Sequence, residues 1–106
     1  MATRATAHHV LIPMSRVIAD HRGHWFDPDT MRFFGTRLTQ HAYELTDGRR
    51  LFVSSEQPPH GPRRWSLRAQ DPNTGKIDTV GEFCGYASRG AALYALSLAL
   101  RESNES

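Results

Sequence analysis

Cysteine, lysine and long apolar runs are what this 106-residue sequence has least of. A lone thiol, Cys84, excludes an internal disulfide and a cysteine-rich zinc site, and it reads as a small buried apolar residue. Lys76 is the sole lysine, so arginine carries nearly all the positive charge. No stretch approaches the roughly 18 apolar residues of a membrane-spanning helix. The opening MATRATAHHVLIP lacks the apolar core of a secretion signal, so a cytoplasmic protein is expected. P-loop and dinucleotide glycine patterns are missing, as is a nucleophile elbow.

What is present is a chain of one-domain length with 39% hydrophobic and 23% charged residues, enough for a single core. The formal net charge is only +2, but its distribution is uneven. Arg32, Arg37, Arg49, Arg50, Arg63, Arg64 and Arg68 face only Glu44, Asp47 and Glu56 over the same stretch. Guanidinium forks bind phosphates and carboxylates bidentately, so such a cluster suits a nucleic-acid surface as well as ordinary solvated positions.

Apolar patterning starts at Val10-Leu11-Ile12, which leaves residues 1–10 as a flexible leader ahead of one domain over 11–102 and a frayed tail over 103–106. Ser15 as N-cap and Gly23 as stop predict a short helix with Met14, Val17, Ile18 and His21 inward. In HWFDPDTMRFFGTR, Asp27 suits an N-cap, Pro28 the first helical position and Asp29 the positive end of the helix dipole. Phe26 and Met31 are spaced as a hydrophobic staple, and Met31, Phe34 and Leu38 continue an inward stripe.

Asp47-Gly48 predicts a tight hairpin whose two-residue loop sets Tyr43 opposite Phe52. QPPHGP is a loop. RRWSLRAQ alternates, with Trp65, Leu67 and Ala69 on one side and Arg64, Ser66, Arg68 and Gln70 on the other. DPNTG turns the chain into another strand, with a bulge near residues 79–81. Ser88 caps an alanine-rich C-terminal helix from Arg89 to about Glu102. The expected fold is α+β, an antiparallel sheet of three to four strands with helices packed on one face.

His21, His24 and Asp27 are spaced by three, but Gly23 interrupts the helix and Asp27 is used as a cap, so no metal or other cofactor is expected. The serines fall in turns and caps, and the paired acids at the helix start are stabilised ionised, which argues against catalysis.

Two resemblances follow from the C-terminal half. The helix–strands–helix order ending in GYASRGAALYALSLAL is similar to the double-stranded-RNA-binding domain. WSLRAQDPNTGKIDTVGEF followed by SRGAALYAL is similar to the sheet-plus-helix DNA-binding module of plant AP2 factors and phage-type integrase arms. Over about residues 18 to 100, HWFDPDTMRFFGTR, LFVSSEQ and RRWSLRAQDPNTGKIDTVGEF resemble a family of small uncharacterised proteins of actinobacterial phages and mobile elements. That resemblance implies a cytoplasmic protein of an arginine-rich proteome and implies no activity.

The expected function is non-enzymatic binding of DNA or RNA through an arginine-bearing sheet face made of Arg49, Arg50, Arg64, Ser66, Arg68 and Gln70, with Arg89 at the helix start. The competing expectation is a protein-interaction surface around Trp25, Phe33, Arg32 and Arg37, for a host or element-encoded partner or a second copy of the chain.

Overall fold

Leu51-Phe52-Val53 combines β-branched and aromatic residues between a DG turn and a proline-rich loop, and it becomes the middle of the sheet. A computed structural model describes residues 9–22 and 28–105. In chain order these form β1 (His9–Pro13), α1 (Met14–Asp20), α2 (Pro28–Phe34), β2 (Arg37–Leu38), β3 (His41–Leu45), β4 (Arg50–Glu56), β5 (Arg64–Gln70), β6 (Ile77–Val80) and α3 (Arg89–Glu105). All strand pairs are antiparallel in the order β1-β3-β4-β5-β6, and β2 pairs with β4 alongside β3. The α+β class is as expected. Six strands stand where three or four were expected, because His9–Pro13 and Arg37–Leu38 also join the sheet.

Successive strand side chains point to opposite faces, so Phe52 and Val53 enter different cores. Val53 packs with Leu45, Leu51 and Leu67 against Ala92 and Leu96 of α3. Phe52 packs with Ile12 and Ala42 against Met14 and Val17 at α1. The two helices therefore cover opposite faces, which corrects the expectation of helices on one face. The physical reason lies in Ile12, Ala42 and Phe52: beside the polar half of β5 their face is apolar and needs a cover of its own. Fully burying a side chain such as Val17 or Leu96 contributes about 1.5–3 kcal/mol, so each layer is well anchored.

Local chemistry explains where the elements stop. Ser88 Oγ accepts from the Ala91 N–H at 3.1 Å, the expected cap of α3, which then runs on to Glu105. At α1, Pro13 rather than Ser15 occupies the N-cap, and the helix ends at Asp20 with His21 as its C-cap. Its Ile18 is largely exposed, while Met14 and Val17 are buried. Helix α2 stops at Phe34 because Gly35 takes φ +55°, with Gly35 N–H donating to Arg32 O and Thr36 N–H to Met31 O. This is a Schellman end, and it places Leu38 in β2 instead of on a helical stripe. The Asp27 cap and the Phe26 staple fall outside the described residues, as does Trp25.

The β3–β4 hairpin is one residue out of the expected register. Tyr43 faces Leu51, and Leu45 N–H donates to Arg49 O, so Thr46-Asp47-Gly48 forms a three-residue loop with Gly48 at φ +93°. A one-residue slip turns every side chain to the other face. It is this register that sends Tyr43 and Leu51 to the α3 core and Phe52 to the α1 core.

Candidate functional site

The polar side of β5 was expected to lie open, and it is closed. Ser66, Arg68 and Gln70 are each at most 5% exposed. Arg68 Nη2 meets Glu56 Oε2 at 3.0 Å, its Nε donates to Ser54 Oγ at 3.1 Å, and its Nη1 donates to Thr79 Oγ1. The Phe83 ring lies 5.0 Å from the guanidinium carbon and shields it. Glu56 also accepts from Ser54 Oγ at 2.5 Å and from Ser66 Oγ at 2.9 Å. Gln70 Nε2 donates to Val17 O and Gly75 O, tying β5 to α1 and to the β5–β6 turn.

The neighbouring arginines are also committed. Arg50 reaches Asp20 at 2.5 Å, Glu44 at 3.0 Å and Gln70 Oε1 at 3.1 Å. The Arg50 guanidinium holds the Asp20 carboxyl below its usual range. Arg49 pairs with Asp47 at 2.9 Å, and the Arg49 N–H lowers that carboxyl too. Arg64 Nε donates to Cys84 O at 2.6 Å. Of the seven residues expected to contact nucleic acid, six are thus spent on internal partners: α1 and residues 81–86 close over five of them, and Arg49 pairs with Asp47 in the exposed hairpin loop. Arg89, the seventh, stands exposed at the start of α3 on the opposite face.

Residues 81–86 form a larger excursion than the single bulge expected near residue 80. β6 leaves β5 at Val80, and the chain returns to it only where Tyr86 and Trp65 exchange backbone hydrogen bonds. Cys84 takes φ +56°, held by its N–H donating to Ser66 Oγ at 2.8 Å and by Arg64 on its carbonyl. Its thiol points to Glu56 Oε1 at 3.8 Å, so Cys84 is a half-buried donor to the network rather than an apolar filler. Burial, and then the Glu56 charge, push this thiol above its ordinary pKa, which keeps it protonated at neutral pH.

The opposite face has the features that the β5 face lacks. α3 covers β4 and β5, and between it and the broken β2–β3 strand lies a cleft of about 720 Å³. The break arises between Leu38 and Tyr43: partners of β2 and β4 sum to 92, as in 37 with 55, while those of β3 and β4 sum to 94, as in 43 with 51. Two extra residues therefore sit in the β2–β3 strand, and Gln40 O accepts from Met14 N–H at 2.9 Å. Val53, Tyr43, Trp65 and Leu93 give the cleft an apolar lining, and Arg37, Arg63 and Arg89 bring it three guanidinium groups.

None of these three arginines pairs with a carboxylate among the described residues. Arg63 Nη1 donates to Gly35 O at 2.9 Å and to Ser55 Oγ at 2.8 Å, two neutral acceptors that orient the group without cancelling its charge. Arg37 lies opposite Ser55 in β2, and Arg89 sits at the positive end of α3. Sequence reasoning named Arg37 for another role and passed over Arg63. The available signal was parity: residues 63, 65 and 67 alternate together, which places Arg63 on the Trp65 side.

The described residues expected for a protein-interaction surface divide between α2 and the cleft. Phe33 is 74% exposed and meets Phe34 edge-on at 4.9 Å, and Phe34 meets Phe83 at 5.9 Å. Arg32 pairs with Asp29 at 2.7 Å on the same helix. Arg37 belongs to the cleft on the α3 side of the sheet.

A protein family described as a family of unknown function (DUF7447) matches residues 10–97. No curated protein and no solved structure matches the chain.

Proposed function

We propose that the chain, which belongs to this family of unknown function, binds nucleic acid at the arginine-bearing cleft between α3 and the β2–β3 strand. The observation that carries this reading is the set of three guanidinium groups, Arg37, Arg63 and Arg89, with no carboxylate partner among the described residues, around an apolar floor. Guanidinium groups match phosphate oxygens bidentately, and a recess of lowered dielectric strengthens that attraction. Binding without catalysis agrees with the state of the reactive groups on the opposite face of the sheet, where Cys84 is held as a neutral thiol and Glu56 is committed to Arg68. The likeness of HWFDPDTMRFFGTR and LFVSSEQ to proteins of actinobacterial phages and mobile elements favours a small accessory protein working in the cytoplasm.

The test is anisotropy with short labelled DNA and RNA at two salt concentrations. Arg37→Ala/Arg63→Ala/Arg89→Ala is expected to abolish binding, while Arg49→Ala, whose side chain pairs with Asp47, leaves it intact. Each lost phosphate contact should also flatten the salt dependence by about 0.7–0.9 in log–log slope. Salt-insensitive binding, or a triple variant that binds normally, contradicts the proposal.

Protein binding at α2 is the second reading, favoured by the exposed Phe33 ring. In that case Phe33→Ala, and not the arginine variant, weakens capture of the partner.

A further inference from the structure

We infer that the cleft takes single-stranded rather than duplex nucleic acid, with an unpaired base laid against Trp65 and its phosphates held by Arg37 and Arg63; this rests on the nucleic-acid reading above. The register supplies the argument. Trp65 of β5 lies opposite Ser55 of β4, and Ser55 lies opposite Arg37 of β2. Directly opposed residues share a face, so Trp65, Ser55 and Arg37 form one row across three strands on the α3 side. With neighbouring strands about 4.8 Å apart, Trp65 and Arg37 stand about 10 Å apart at the backbone.

The middle of that row is a small side chain, and all three residues line the cleft. Ser55 is itself buried and bonded to Arg63, so the guanidinium of Arg63 is fixed at the middle of the row. Trp65 is half-buried, packed against the core while it lines the cleft. An aromatic surface next to two cations, one of them fixed by hydrogen bonds, is the arrangement that holds one base and its neighbouring phosphates, since every base has a face to stack and every linkage a charge to pair.

Duplex does not fit the same features. Its bases are stacked on each other and paired, so none reaches an indole on a cleft floor, and its phosphates lie on a convex surface. The alternative of a helix entering a groove is poorly served by α3, where basic side chains stand only at Arg89 and Arg101 and the run between is glycine, alanine, leucine, serine and tyrosine. At about 720 Å³ the cleft is in the range of roughly 300–1,000 Å³ that encloses a small organic group, a scale suited to a nucleotide unit.

The experiment compares short homopolymeric DNA and RNA single strands with a blunt duplex of equal length, using the full chain and one buffer. Single strands of either sugar are expected to bind about ten-fold or more tighter than duplex, the scale of stacking on one aromatic ring. Trp65→Leu should remove that preference while the salt dependence persists. In a Trp25→Phe protein, whose remaining indole is Trp65, single strand should quench the emission, a readout that needs no change at position 65. Duplex binding as tight as single-strand binding overturns this inference and leaves the nucleic-acid reading standing. Single-strand preference with Trp65 emission unmoved overturns the placement of the base. Failure of every probe to bind at low salt overturns both.

Discussion

Glu56 gathers a buried network around itself, with Ser54, Ser66, Arg68 and the Cys84 thiol all directed at its two oxygens. Removing one partner of a buried ion pair leaves the other charge without compensation, which costs about 3–5 kcal/mol. Glu56→Ala is therefore expected to destabilise the fold by that amount in urea denaturation, and Glu56→Gln combined with Arg68→Met should cost distinctly less. Equal losses in the two variants would show that packing, and not charge, governs the site. Cys84 reports on the same environment. Because burial and Glu56 raise its pKa, the protonated thiol persists to higher pH than in a free thiol, and alkylation should accelerate only above that ordinary range. Glu56→Gln removes the repelling charge and should shift the midpoint of the alkylation rate to lower pH; no shift would contradict the contact. Sequence alternation placed Arg64, Ser66, Arg68 and Gln70 together on one side, correctly. It carried no sign that this side is covered, because the cover comes from α1 and residues 81–86, whose position depends on long-range packing.

The elements hold their places through a few backbone junctions. Gly75, in the β5–β6 turn, takes φ +75° and offers its carbonyl to His21 Nδ1, Arg22 N–H and Gln70 Nε2, joining the end of α1 to the sheet. A methyl group at this position would collide with the Asp20 carbonyl. Gly75→Ala should therefore cost more than the roughly 1–2 kcal/mol of left-handed strain alone, measured as a drop in unfolding free energy. Gly61→Ala is the control, with φ +116° and open space around it, so a similar loss at both positions would sink the clash argument. DPNTG was legible as a turn because Asp71 Oδ1 accepts from the N–H groups of Asn73 and Thr74, a local motif. The Asp47-Gly48 turn was legible too, but not its loop length, and the register moved by one residue. Gly35 was a readable stop for α2, although the apolar spacing of Met31, Phe34 and Leu38 pointed past it. β1 and β2 could not be read locally, since each is a strand only through its pairing with β3 or β4.

At the scale of the molecule, two helices on opposite faces leave one part of the sheet uncovered among the described residues. α1 and residues 81–86 close the side that carries Arg68, while α3 covers β4 and β5 and leaves the cleft beside β2 and β3. Charge then separates by availability. Arg32, Arg49, Arg50 and Arg68 are neutralised by acids, and Arg37, Arg63 and Arg89 converge on the cleft. The measurement that tests this account most directly is amide chemical-shift mapping during titration with a short single-stranded oligonucleotide. Shifts centred on Arg37, His41, Trp65 and Arg89 are predicted, with Arg68, Gln70 and Phe33 unmoved. Shifts centred on the Arg68 face or on α2, or a spectrum that does not change at all, would contradict it.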